Sequence, residues 1–154
     1  MKQKWPIWIA TMGGIGYLPA PGTFGSLPGV LFVFLIHSYF SHLKILLFPI
    51  LIIAFLGGIR ICRKAQEILK ENDPGKIVFD ETIGMAFSLL WLPWGWTTVV
   101  LSFIIFRTFD IAKPFGLRRL ESIYPSNIGF GVMVDDLAAA ILTNISVRII
   151  LLFI

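Results

Sequence analysis

The chain has 154 residues, about one domain's length. Hydrophobic residues make up 56% and charged residues 14%, and the mean hydropathy is +0.84; soluble domains run near ~45–50% and ~25%. This excludes a disordered chain, a nucleic-acid-binding domain and a typical cytosolic enzyme, and the lone Cys62 excludes a disulfide framework or a four-cysteine zinc site. What remains is an all-α, polytopic membrane bundle, one membrane-embedded domain over 1–154. The net charge of +4 matters less than its distribution. The Lys and Arg residues fall in groups between apolar runs, which is a topology signal, and only Lys44 and Arg148 stand apart.

Lys2 and Lys4 resemble the start of a signal peptide, but Pro6 and the Gly/Pro-rich sequence that follows interrupt the apolar core, and no A-x-A site appears, so no cleaved signal is expected. The first membrane helix is expected over Leu27–Phe40, with Ser26 as cap and Pro28 in the first turn. The second is Ile45–Ile59, continuing as the basic amphipathic stretch Arg60–Asn72 and ending at Asp73-Pro74-Gly75. The third run, Ile83–Phe106, carries no charge. At roughly 1.5 Å per residue it reaches about 36 Å, enough for one span. Pro93 and Gly95 divide it, however, and Trp91, Trp94 and Trp96 cluster at the break as interfacial side chains do. The preferred reading is a short helical hairpin with arms Val78–Leu92 and Thr97–Ala112. The fourth run, Leu137–Ile154, is a C-terminal membrane helix, with Arg148 reaching for the outer interface. Two long membrane helices, the hairpin and this last helix put the N-terminus, Arg60–Lys76 and Arg107–Arg119 on one side. The positive-inside rule makes that side cytoplasmic, with His37 and His42 in an outer turn.

Of the nine acids, Asp80, Glu81, Asp110, Asp135 and Asp136 abut apolar runs. A carboxylate near lipid is costly unless paired or bound to a cation, and Arg107 and Lys113 alone do not balance five. A divalent cation would, and an all-oxygen ligand set favours Mg²⁺ over Zn²⁺. The competing reading makes these acids helix caps and ion pairs, with Asp80 and Asp135 at helix starts. The stretch Pro19–Ser26 supplies Gly22, Thr23, Gly25 and Ser26 ahead of a helix, a pattern that suits phosphate, although it is not a P-loop and a turn entering the membrane would use the same residues. Arg107, Asp110 and Lys113 recur at helical spacing, combining cations for phosphate oxygens with an acid for metal.

Four motifs occur in order: A-P-G-T-x-G-S-L (Ala20–Leu27), V-x-D-E-x-x-G-M (Val78–Met85), R-x-x-D-x-x-K-P (Arg107–Pro114) and G-x-G-x-M-x-D-D (Gly129–Asp136). Together they resemble the phosphatidylglycerophosphatase A family, over about residues 13–140. The resemblance implies a Mg²⁺-dependent lipid phosphatase that converts phosphatidylglycerophosphate to phosphatidylglycerol. It would sit in the cytoplasmic membrane with its site facing the cytoplasm. The polar motif positions carried over are Thr23, Ser26, Asp80, Glu81, Arg107, Asp110, Lys113, Asp135 and Asp136. Other phosphatase routes lack their residues: there is no C-x5-R around Cys62, no D-x-D and no K-x6-R-P. Metal-activated water is left as the nucleophile. The partners expected are the phospholipid substrate and membrane lipid, with no nucleic acid and with the oligomeric state, a homo-oligomer included, left open. The alternative is an ion or solute transporter with an intramembrane carboxylate site. Acids gathered at one membrane face would favour the enzyme, and acids strung across the bilayer would favour transport.

Overall fold

A computed structural model describes residues 4–71, 74–112 and 130–153, which form helices and connecting turns with no strand among them. The chain enters through a short helix, α1 (Trp5–Ala10), with Pro6 in the first turn, where its missing N–H costs nothing. Two 3-10 turns follow over Met12–Tyr17. The Val78 N–H donates to the Ala10 carbonyl (2.9 Å), tying this entry segment to the strand of chain that leads into the central helix.

The first long helix, α2, spans Pro21–Tyr39 and so begins well before the expected Leu27. Pro21 fills its first turn, entered from Ala20 in the left-handed region (φ 53°). Ser26 is therefore not a cap; its Oγ donates back to the Gly22 carbonyl at 2.8 Å. Pro28 lies inside the helix and removes the bond to the Phe24 carbonyl. A 3-10 segment, Ser41–Leu46, leads into α3 (Leu47–Leu69), which Lys70 terminates in the left-handed region (φ 58°), ahead of the expected stop.

The run Ile83–Phe106 is a hairpin: α4 (Phe79–Ser88) and α5 (Trp96–Ala112) flank a turn. The first arm is shorter than expected, because Leu89–Trp91 forms turns with Trp91 at φ 55°. Side chains from the last helix, α6 (Phe130–Ile150), take the carbonyls that a longer α4 would have used itself. Asn144 Nδ2 donates to the carbonyls of Ser88 (3.0 Å) and Leu90 (2.9 Å). Arg148 donates to those of Leu90 (3.2 Å) and Trp91 (3.4 Å) while holding Asn144 Oδ1 at 2.8 Å. Arg148 thus caps the hairpin as well as pointing toward the end of the bundle where snorkelling was expected. α6 starts before Leu137, so Asp135 and Asp136 lie within the helix and not at its start.

Among the described residues, three segments are long and apolar enough to cross a membrane: Pro21–Tyr39, Ser41–Leu69 and Phe130–Ile150. α4 is the core, buried from Thr82 to Ser88 and packed by α2, α3, α5 and α6. α2 can come this close because a Cβ at Gly25 would stand 2.5 Å from Val78 Cβ. The Thr82 hydroxyl donates to the Gly25 carbonyl at 2.5 Å across the same contact. Cys62 is a packing residue, buried with its Sγ 4.0 Å from Met133 Sδ.

The helices alternate in direction. The starts of α2, α4 and α6 and the ends of α3 and α5 therefore share one end of the bundle. At the other end the hairpin turn packs on α2 and α3. Trp94 stacks on His37 with ring centroids 5.6 Å apart, and Trp91 approaches Phe48 at the same separation.

Candidate active site

Asp80 and Glu81 occupy the first turn of α4, where the helix dipole favours negative charge. α6 brings Asp136 to them. Each of the three offers a carboxylate oxygen, and these oxygens lie within 4.8 Å of one another. Asp80 and Asp136 are buried. Asp80 Oδ1 accepts the Glu81 N–H at 3.0 Å. Glu81 Oε2 and Asp136 Oδ2 are buried without a hydrogen-bond partner among the described residues. Charges so crowded and desolvated repel one another unless a cation lies between them. Both orphaned oxygens fit such a cation, so the cluster can hold a metal ion. A purely oxygen donor set suits a hard divalent ion.

Gly84, one turn along α4, makes the approach of α6 possible: a Cβ there would meet Asp136 Cβ at 3.2 Å and the buried Phe106 ring at 2.8 Å. Gly84 belongs to the second sequence motif, but nothing in the sequence says which element it faces.

Asp110 and Asp135 stand outside this three-residue group. Asp110 pairs with Arg107 at 2.5 Å across one turn of α5, each side chain 17% exposed. It remains within electrostatic reach of Asp80, Glu81 and Asp136. Asp135 is buried beside Asp136 on α6, turned about 100° around the helix from it. Arg107 also leaves its Nε buried without a partner among the described residues. Lys113 lies outside the described residues, as do Pro114 and Gly129 of the sequence motifs.

The glycine stretch divides. Gly22 meets the site directly: a Cβ there would stand 2.6 Å from Arg107 Nη2 and 2.7 Å from Glu81 Oε1. Only a hydrogen at this position leaves room for both side chains. Thr23 lines a groove with Arg107. Gly25 and Ser26 point elsewhere; their polar groups are taken by Thr82 and by the Gly22 carbonyl. Thr82 itself, which ties α2 to α4, was not singled out from the sequence, because a threonine in an apolar helix carries no distinguishing signal.

The family model of phosphatidylglycerophosphatase A matches residues 8–151. The chain belongs to this family. A phosphatidylglycerophosphatase A from Haemophilus influenzae is 37% identical over 139 residues, covering 88% of this chain and 83% of its own. The Escherichia coli phosphatidylglycerophosphatase A is 32% identical over 145 residues, covering 93% and 81%. A Bacteroides thetaiotaomicron protein provisionally named a phosphatidylinositol-3-phosphatase is 33% identical over 151 residues, covering 94% and 92%. No solved structure matches. For a member of the phosphatidylglycerophosphatase A family, the clustered acids, Arg107 and Gly22 form a coherent polar site at one end of an apolar bundle.

Proposed function

We propose that the chain is a Mg²⁺-dependent phosphatidylglycerophosphate phosphatase whose single membrane-embedded domain, residues 1–154, works at the cytoplasmic face. The observation that carries this reading is the meeting of Asp80, Glu81 and Asp136 with Arg107 across the gap left by Gly22. These groups lie at one end of the bundle, as a headgroup enzyme requires, and are not spread along a transport path.

Asp80, Glu81 and Asp136 are the proposed metal ligands, with Asp110 and Asp135 supporting the cluster. Mg²⁺ held there would supply Lewis acidity, neutralising phosphate charge and orienting water for attack. Arg107, whose Nη1 pairs with Asp110, donates from its remaining N–H groups to a phosphate oxygen. Thr23, which lines the same groove as Arg107, supplies a second contact, and Gly22 lets Arg107 and Glu81 approach the α2 backbone. Lys113 is the remaining proposed cation. Water attacks phosphorus, the bond from phosphorus to the glycerol oxygen breaks, one proton of the water ends on that oxygen, and phosphatidylglycerol and inorganic phosphate leave. Arg107 stabilises the charge that accumulates between those events.

The test is phosphate release by purified protein from phosphatidylglycerophosphate, with phosphatidylinositol 3-phosphate as comparison. Release that requires Mg²⁺, stops in EDTA and prefers the first lipid is expected. Full activity after exhaustive chelation overturns the metal, and preference for the inositol lipid overturns the substrate. Asp136→Asn should raise the half-saturating Mg²⁺ concentration, with part of the lost activity recovered at high Mg²⁺.

A further inference from the structure

Two adjacent rows of α5, Phe103–Arg107–Ile111 and Ile104–Thr108–Ala112, each spaced by four residues, form one wall of a groove of about 500 Å³. Thr23 of α2 contributes the facing edge. The groove borders the site, since Arg107 belongs to both. Its chemistry changes along α5. Arg107, Thr108 and Thr23 supply polar atoms at the level of the site, and Ile111 and Ala112 continue the wall as apolar residues to the helix end. Toward the middle of the bundle the wall becomes Phe103 and Ile104, and exposed Val100 lies one turn further. Ile104 is 56% exposed, unusual for an isoleucine in a core but expected on a surface that meets lipid.

A polar site near the bundle end, with an exposed apolar wall running from it toward the middle of the bundle, suits one class of molecule: an anionic amphiphile with its phosphate at Arg107 and its chain toward the membrane centre. A phospholipid of the adjacent leaflet already has this orientation, so entry from the side needs no inversion and no passage through water. We propose that the groove between α2 and α5 is the lateral entry for the lipid substrate. The phosphate sits at Arg107 and Thr23, and the glycerol ester region and one acyl chain lie along Phe103 and Ile104. This rests on the reading of the site as a lipid phosphatase and adds the route and the part of the substrate that the apolar wall recognises.

The prediction separates chain recognition from headgroup chemistry. Ile104→Trp narrows the groove one turn from Arg107 and leaves every carboxylate and Arg107 itself unsubstituted. Full-length protein in mixed micelles is assayed with dioleoyl and with dihexanoyl phosphatidylglycerophosphate, alongside Ile53→Trp, a substitution on an exposed face of α3. Ile104→Trp should lower kcat/KM for the dioleoyl lipid by at least about tenfold, mainly through KM. The dihexanoyl lipid should change less than about threefold, with half-saturating Mg²⁺ unchanged, and Ile53→Trp should stay within about twofold on both. Equal losses on the two lipids would mean that the tryptophan disturbs the site, or that another segment or a second copy of the chain fills the groove, and would overturn the proposal. No loss on the dioleoyl lipid would overturn it too. Wild-type turnover of the dihexanoyl lipid reports separately on the phosphatase reading, so the two failures are distinguishable.

Discussion

Three carboxylates, one guanidinium and one missing side chain set the local physics of the site. Gly22 is the tightest element, because any Cβ would press on Arg107 and Glu81 together. Gly22→Ala should therefore displace both groups and lower kcat by about 10–100-fold, the range expected when reacting groups shift by about an ångström. Thermal stability in detergent should fall little, since both side chains can swing away; a large stability loss with unchanged kcat would show that Gly22 serves packing alone. Arg107→Lys makes a different case. It keeps the charge but loses the planar donor fork and the orphaned Nε. Loss of one charge-assisted contact of about 2–4 kcal/mol corresponds to a fall in kcat/KM of roughly 30–1000-fold. Half-saturating Mg²⁺ should hardly move. Measuring both parameters for a folded variant checks the assignment, and a shift confined to Mg²⁺ dependence would place Arg107 with the metal instead of with phosphate.

At the scale of elements, α4 decides the geometry. It is a short buried helix whose first turn carries Asp80 and Glu81 and whose far end has carbonyls in need of partners. In an apolar surrounding such carbonyls must be satisfied from within the protein. α6 answers at both ends, with Asp136 at the first turn and Asn144 and Arg148 at the last. The Leu90 carbonyl accepts from both Asn144 and Arg148. Either single variant, Asn144→Leu or Arg148→Met, leaves that carbonyl one partner, whereas the double variant leaves none. The double variant should therefore be less stable than the sum of the singles by about 1–3 kcal/mol, the cost of a buried unsatisfied carbonyl. Simple additivity in thermal or denaturant unfolding would show that water reaches this turn. The hairpin itself was legible, because Pro93, Gly95 and the tryptophans mark the break. The arm length was not, because the partners that end α4 come from α6, distant in sequence. The start of α2 was misplaced for a similar reason. Ser26 and Pro28 look like a cap and a first turn, but Pro21 already fills that place and Ser26 bonds back along the helix. Asp80, Glu81, Asp136 and Arg107 were all legible as candidates; their division into a carboxylate cluster and an Arg107–Asp110 pair depends on how α5 and α6 rotate against α4, which motif spacing does not encode.

For the whole molecule, alternating helix direction turns separated motifs into one polar end. The same end carries Arg60, Arg63, Lys64, Lys70 and Lys76 on or just after α3. Aromatic residues mark its border: Lys64 Nζ lies 5.5 Å over the Trp5 ring and Lys76 Nζ 5.9 Å over Tyr17. Cations with aromatic rings beside them suit the cytoplasmic headgroup layer, where anionic lipid attracts each Lys or Arg by about 1 kcal/mol. The opposite end presents Trp96, 86% exposed, at the start of α5. These charges predict an orientation that labelling can read. In a Cys62→Ser background, single cysteines at Glu71 and Ala112 should react with a membrane-impermeant maleimide only after the inner face is opened. A cysteine at Trp96 should react in intact cells or sealed right-side-out vesicles. Glu71 follows α3 and Ala112 ends α5, so their sidedness tests whether α4 and α5 form a hairpin returning to its starting face. Labelling of Glu71→Cys and Ala112→Cys from opposite faces would make Ile83–Phe106 a single crossing and separate Arg107 from Glu81. Labelling of both from outside would keep the site intact but turn it toward the outer leaflet, and the lipid it meets would then have to be supplied there.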